Sequence, residues 1–379
     1  MRCHLPSPSR LATTHHHLTH RHFTVLALES SADDTCAAVV TSSGNILSNI
    51  VLKQNDVHAP FGGIHPYRAV QAHQRNMPIA VQRALKDARI SVLDVDGIAF
   101  TRGPGMTGCL GIGSSAAKTL AAALNKPLVG VHHMQAHALT PILTSAPNPP
   151  KFPFLTLLIS GGHTLLLLAI SVTQFRILAT TPDESIGRVF DKVSRLLALP
   201  WSAKGPGASL EDFVAASPVE DNLAPSMPRT MPGVLTFSFT GLHSAVERFV
   251  TARGGVEALD IPTRRAVASG FQRAAFNQLE EKLTLALSWC RDRGLGVKHL
   301  VVSGGVASNS YLRERLRAFV LDLECSQDSV SLIFPPAELC TDNAVMIAWA
   351  SMHRFVARDT DDYAIMIRPK WCVQDLMGG

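Results

Sequence analysis

The chain has 379 residues, 46% hydrophobic and 17% charged, with 35 Lys and Arg against 30 Asp and Glu for a net charge of +5. That balance excludes a disordered protein and gives enough apolar residues for two sizeable cores. The longest apolar runs, FLTLLI and LLLLAI, are parted by SGGHT and too short to cross a bilayer, so no membrane insertion is expected.

Residues 1–22 carry Arg2, Arg10 and Arg21, many hydroxyl side chains and no acid before Glu29. That is the composition of a mitochondrial presequence, so they are expected to act as a targeting segment and the protein to reside in the matrix. FTVLALESSADDTCAAVVTSSGNILSNIV (23–51) then reads as strand, polar turn, strand, turn, strand. A helix is expected over 69–88, a strand over 95–100, a helix over 113–124 and a strand over 127–133. The Pro-rich TSAPNPPKFP (144–153) marks a boundary. Beyond it TLLISGGHTLLLLAIS (156–171) repeats the opening plan of buried strand, glycine turn and buried strand. A long amphipathic helix follows over 264–294, ending at Gly294, then a strand into a glycine turn at 297–305 and a helix over 309–321. Strands alternating with helices in both halves predict an α/β protein of two related lobes, 23–150 and 151–371, with the last helix packing back on the first lobe. The seven cysteines (3, 36, 109, 290, 325, 340 and 372) form no C-x-x-C pair, which argues against a thiolate zinc site and suits a reducing compartment.

Four polar loops follow or join apolar strands: ESSADDT (29–35), TRGPGMTG (101–108), ISGGHT (159–164) and SGGVASN (303–309). Glycine lets a backbone approach a ligand closely, and successive N–H groups form an anion nest. Gly103, Gly105 and Gly108 spell G-x-G-x-x-G, but that dinucleotide fingerprint needs an acid about twenty residues on for the ribose. No acid occurs between Asp96 and Asp183, which excludes it. The same acid-free stretch holds Arg102, Lys118, Lys126, Lys151 and Arg176. It reads either as buried strand and helix, where charge is rare, or as one wall of a phosphate-tolerant cleft.

His133 and His137, four apart in HHMQAH, share one helix face and are candidate metal ligands. The intervening Met134 and Gln135 supply no carboxylate, unlike the H-E-x-x-H helix of zinc peptidases. Asp183 and Glu184 are expected to begin a helix and Asp191 to form a surface ion pair beside Lys192. Thr341 or Asp342 reads as a helix N-cap.

Together these segments resemble the universal tRNA threonylcarbamoyladenosine synthase family, the transferase called TsaD in bacteria and once described as a sialoglycoprotein endopeptidase. The family's ETSCDDT opening is similar to ESSADDT (29–35), its GPGxxGxLxxGxxxAKxLA to 103–121, and its PLxGVxHxxAH to 127–137. LxSGGHT corresponds to 158–164, FDKVxRxL to 190–197, and FSFSGLKxAV to FSFTGLHSAV (237–246). GGVxxN corresponds to 304–309, TDNAxMIA to 341–348, and the tail RPKW (368–371) is family-like as well. The motifs run in order from about residue 23 to 371.

The resemblance implies a two-lobed actin/Hsp70/sugar-kinase-like (ASKHA) fold with a nucleotide cleft between the lobes. The activity implied is transfer of a threonylcarbamoyl group from its adenylate to the exocyclic amine of adenosine 37, in tRNAs reading codons that begin with A, with release of AMP. It puts metal ligands at His133, His137 and Asp342 and an adenylate-binding loop at Leu158, Ile159, Ser160, Gly161 and Gly162. Further substrate contacts fall on Asp191, Gly207, Glu211 and Asn309. One divalent cation per subunit, zinc or iron, is implied, together with tRNA as partner and a separate synthase that supplies the donor. Mitochondrial members resemble self-sufficient homodimers. An acid of the first loop, Asp33 or Asp34, with Glu29 as rival, is our candidate base for the adenine amine. The chain departs from the family pattern at Ala32, where Cys is usual. It also departs at His132, where Asn is usual and an imidazole adds another candidate ligand, and at Gln135, Pro206 and His243. Two other readings are a zinc peptidase, disfavoured by the missing H-E-x-x-H glutamate, and an ATPase or kinase of the same fold.

Overall fold

A computed structural model describes residues 22–200, 205–325 and 329–376; the expected targeting segment lies almost wholly outside them. The first half forms β1 (Thr24–Glu29), β2 (Thr35–Thr41), β3 (Ile46–Leu52), a short α1 (Asn55–His58) and α2 (Pro66–Ala88). It continues through β4 (Gly97–Gly103), α3 (Thr107–Leu124), β5 (Leu128–His132) and α4 (His133–Thr144). The second half begins with β6 (Phe154–Ile159), β7 (Thr164–Ala169), β8 (Phe175–Thr180), α5 (Ile186–Leu196), α6 (Pro206–Ala215), α7 (Thr240–Ala252) and α8 (Ile261–Arg291). It ends with β9 (His299–Ser303), α9 (Ser310–Cys325), β10 (Ser331–Ile333), α10 (Ala337–Cys340) and α11 (Ala344–Val356).

The two sheets share one topology. The first runs β3-β2-β1-β4-β5 and the second, read from its other edge, β8-β7-β6-β9-β10. In each, a three-stranded antiparallel meander is extended by two parallel strands. The central strands TVLALE, TCAAVVT and FLTLLI are buried along their whole length, hence their uninterrupted apolar runs. The edge strands β3 and β8 mix buried and exposed positions.

One core fills the second lobe around α5, α7 and α8, with Phe190, Phe237, Phe239, Phe271 and Phe276 inside it. Another lies beneath α2 and α3. A third joins the sheets through α4 and α11, uniting Val25, Ala99 and Val129 with Leu158, Leu167 and Val301. Helix α11 packs on β1, β2, β4 and β5 and against α4.

Several local expectations are revised by tertiary contacts. The strand expected over 127–133 stops at His132, because that side chain caps α4: its Nδ1 accepts from the N–H of Met134 (3.1 Å) and Gln135 (3.4 Å). Asp183 and Glu184 precede α5, which starts at Ile186, and Asp183 instead accepts from Ser238 Oγ, Phe239 N and Thr240 N at the start of α7. The N-cap of α11 is Asn343, whose side chain accepts from Met346 N at 2.9 Å; Asp342 is left to point elsewhere.

After α11 the chain has little regular structure but is well tied. Arg368 N donates to Arg102 O (2.8 Å) and Gly105 N to Pro369 O (3.1 Å), laying the tail over the loop that follows β4. A Cβ on Gly103 would meet Arg368 O at 1.9 Å, so only glycine fits beneath this strap.

Candidate metal centre and adenylate cleft

The four glycine or polar loops follow β1, β4, β6 and β9, the central strands of the two sheets. Their convergence is the usual setting of a ligand cleft in an α/β protein. The first two turns of α4 carry His133 and His137, both buried, with ring centroids 4.8 Å apart and planes near perpendicular. His133 Nε2 lies 3.4 Å and His137 Nε2 3.2 Å from the same Asp342 Oδ1. One ligand atom from each residue thus falls within 4.8 Å of the others.

Behind His133 its second nitrogen, Nδ1, meets Glu29 Oε2 at 3.0 Å and Ser31 Oγ at 3.3 Å. Glu29 is itself 1% exposed and also accepts from Ser31 N and Thr101 Oγ1. A carboxylate behind a ligating imidazole fixes its tautomer and raises its basicity.

The electrostatics of this cluster call for positive charge. Burial opposes a charge on His133, but Glu29 and Asp342 on either side outweigh it and push its pKa up to about 10. Burial likewise opposes the Asp342 carboxylate, yet His133 holds it well below the usual carboxylate range. Two imidazoles and a carboxylate around a site that favours a cation fit a divalent metal with coordination positions to spare.

Asp33 and Asp34 lie half-buried in the β1–β2 loop, within electrostatic reach of Asp342. Burial, then Asp342, pushes Asp33 up to about 6; burial, then Asp33 and Asp342, pushes Asp34 up to about 8. Glu29 differs from both, since its oxygens are already engaged by three protein donors.

The second-lobe wall is built from the β6–β7 turn. Ser160 Oγ accepts from Gly162 N (3.3 Å) and His163 N (3.0 Å), and Ser160 O accepts from Gly187 N at the start of α5. Gly161 and Gly162 are exposed, whereas the side chains of Leu158 and Ile159 are buried in the cores. Of those five positions, Leu158 and Ile159 therefore have only main chain to offer a ligand. Asp191 forms no ion pair with Lys192, which reaches Glu184 instead; its Oδ1 accepts from Gly207 N at 2.9 Å. Burial pushes the Asp191 pKa up to about 6, and the charge of Asp33 adds to that rise. Glu211 accepts from Ser310 N (2.6 Å) and the side-chain carbonyl of Asn309 accepts from Leu312 N (2.8 Å); both brace the start of α9. Gly304, at φ +99°, lies so close to β6 that a Cβ would meet Ile159 O at 2.3 Å.

His132 is no candidate ligand. Its Nδ1 caps α4 and its Nε2 donates to Trp371 O at 3.0 Å, while burial lowers its pKa to about 3. Sequence reasoning missed His163, whose ring centroid lies 6.4 Å from that of His133. It gave Trp371 no role beyond its motif, although Trp371 packs on His132 at 4.7 Å. An imidazole directly after a glycine turn was the available signal for His163.

The sequence profile described as "TsaD: tRNA N6-adenosine threonylcarbamoyltransferase" matches residues 45–349. A relative from Arabidopsis thaliana named probable tRNA N6-adenosine threonylcarbamoyltransferase, mitochondrial, is 37% identical, covering 92% of this chain and 74% of its own. One from Cereibacter sphaeroides, named tRNA N6-adenosine threonylcarbamoyltransferase, is 40% identical over 93% of this chain and 94% of its own. Among solved structures, component A of Acidaminococcus fermentans (R)-2-hydroxyglutaryl-CoA dehydratase superposes with TM-score 0.51 at 14% identity, over 88% of this chain and 99% of that one. Full-length HypF gives TM-score 0.51 at 14% identity, over 88% of this chain and 55% of that one. At such identity these establish the fold alone, the two-lobed actin/Hsp70/sugar-kinase-like (ASKHA) type. The match over most of its length shows that the chain belongs to the TsaD family of tRNA N6-adenosine threonylcarbamoyltransferases.

Proposed function

We propose that this protein transfers the threonylcarbamoyl group of threonylcarbamoyl-adenylate to the N6 amine of adenosine 37, in tRNAs reading codons that begin with A. The observation that carries the reading is the convergence of His133, His137 and Asp342 beside the glycine loops, in a chain of this family. A C–N bond forms between N6 and the carbamoyl carbon, the bond from that carbon to the phosphate oxygen breaks, and AMP leaves with the electron pair. The donor is a mixed anhydride made by a separate synthase, so the protein's task is positioning and charge stabilisation.

His133, His137 and Asp342 would hold one divalent cation per subunit, zinc or iron. When bound, it supplies Lewis acidity toward a donor oxygen. Glu29 acts as a positioning residue: engaged by three donors, it aims His133 rather than serving as the base. Asp33 or Asp34 takes the proton leaving N6. Asp33, nearer its ordinary range, is the better base at neutral pH. The main chain of 158–162 and the side chains of Ser160, Asp191, Glu211 and Asn309 hold the adenylate, with Gly207 contacting it while its amide keeps Asp191 in place. An anticodon-loop adenosine is unpaired, so no helix has to be opened.

The protein acts as a homodimer in the mitochondrial matrix, a location supported by the mitochondrial name of the Arabidopsis relative. The test supplies metal-loaded protein lacking residues 1–22 with synthetic donor and unmodified tRNA, without ATP, and reads the nucleosides by mass spectrometry. Modified adenosine 37 with equimolar AMP is the expected result; turnover of peptides or sugars with no modified adenosine overturns the reading.

A further inference from the structure

A cavity of about 540 Å³ opens between the lobes beside the cation cluster, lined in part by His132, Met134, His163, Leu165, Ile177 and Trp371. None of Ser160, Gly161, Gly162, Asp191, Gly207, Glu211 or Asn309 lines it, so it lies beside the proposed adenylate contacts and meets their β6–β7 turn only at His163. Its position is one residue from the metal-ligand pair: His132 and Met134 flank His133 in sequence, and the His163 ring is 6.4 Å from the His133 ring.

The C-terminal segment is built to form this cavity. It is bonded to the first lobe through Arg102 O, Gly105 N and the His132 ring, and to the second where Ile177 N on β8 donates to Gln374 Oε1 at 2.6 Å. The lining is mostly apolar and aromatic, and two guanidinium groups stand against its Trp371. The guanidinium groups of Arg102 and Arg368 lie 5.3 Å and 4.8 Å from the Trp371 ring, and exposed Lys370 borders the opening together with one acid, Asp375.

We propose that this cavity is the acceptor pocket: it takes the unpaired adenosine of the RNA with its exocyclic amine toward the cation cluster, while Arg102, Arg368 and Lys370 meet the flanking phosphates. The inference rests on the proposed transfer reaction and names the subsite for its second substrate. A volume of about 540 Å³ falls within the roughly 300–1,000 Å³ of small-molecule sites. The threonyl side chain of the donor, only a few atoms, would leave most of it unfilled. An apolar, aromatic interior with Arg and Lys side chains beside it is the chemistry that binds single-stranded nucleic acid, by burying the base and pairing the backbone.

Two measurements test it. An anticodon stem-loop carrying 8-azidoadenosine at the acceptor position is irradiated with the full-length, metal-loaded protein, and labelled peptides are identified by mass spectrometry. Label at Pro104 or within 132–134, 163–177 or 369–375 supports the pocket; label confined to other segments overturns it. Separately, Ile177→Trp fills the cavity from β8, away from the metal ligands. It should lower kcat/KM for tRNA by about tenfold or more, equivalent to about 1.4 kcal/mol, with metal content and affinity for a non-transferable donor analogue unchanged. An active wild type whose Ile177→Trp variant keeps full kcat/KM overturns the pocket alone. A wild type that modifies no adenosine overturns the reaction and the pocket with it.

Discussion

The cation cluster is defined by one oxygen of Glu29 and one oxygen of Asp342. Asp342 Oδ1 draws both Nε2 atoms together, and Glu29 fixes the imidazole nearer to it from behind. His133→Ala or His137→Ala should therefore remove bound metal and transfer activity while leaving thermal unfolding cooperative, since each lobe has its own core; retained stoichiometric metal in both variants would refute the site. Glu29→Gln should keep the metal but weaken it by about 10–100-fold, read by competition with a chelator. The Asp191 carboxyl gives a pH signature. Its folded pKa of about 6 lies above the ordinary 3.8, because burial penalises the charge. The folded chain thus binds this proton more tightly than the unfolded one. The contribution to stability is complete below pH about 4 and lost as pH rises through about 6. Donor binding should run the opposite way, since the ionised carboxylate is the better hydrogen-bond acceptor. Affinity for a donor analogue should fall between about pH 7 and about pH 5, and Asp191→Asn should flatten that fall. Asp33 titrates near the same pH, so the decisive quantity is the difference between wild type and variant.

At the level of elements, periodicity foretold most of the helices and strands because burial alone dictates them. The long helix α8 is one such case, with Phe271, Ala275, Phe276, Leu279 and Leu283 buried at helical spacing. The paired hairpins likewise announced the duplicated sheets. What the sequence hid were ends and partners settled by contacts far along the chain. Asp183 caps α7, more than fifty residues away, rather than α5, and Asp191 bonds Gly207 rather than a neighbouring lysine. Spacing marked His133 and His137 as a pair, but Asp342, which meets His137 in the fold, lies 205 residues beyond it and was pointed to only by family resemblance. The loops themselves are fixed by close packing. Gly304→Ala would drive a Cβ to 2.3 Å from the Ile159 carbonyl and force a left-handed backbone on alanine. We expect it to cost about 1–3 kcal/mol of stability and to lose donor affinity, because the β6 and β9 loops must part. Unchanged melting temperature and donor affinity would show that this approach has no structural role.

On the scale of the whole molecule, the proposed substrates bridge parts that are otherwise joined mainly by α4, α11 and the C-terminal strap. The proposed cation ligands come from α4 and from the turn before α11, whereas the proposed adenylate contacts come from the second lobe. A donor that engages both sides binds only when they are correctly apposed, so its binding energy stabilises the folded state. A non-transferable analogue at 100 times its dissociation constant should add about 2.7 kcal/mol and raise the unfolding midpoint by several degrees. AMP, which lacks the threonylcarbamoyl end, should add less at equal concentration because it reaches only the second-lobe wall. The difference should vanish in His137→Ala, where the first-side anchor is gone, while the AMP shift persists. Calorimetry on the four combinations of protein and ligand gives the answer. Equal shifts for donor analogue and AMP in the wild-type protein would mean that the carbamoyl end never meets the cation cluster, and the cleft would have to be assigned to nucleotide chemistry of another kind.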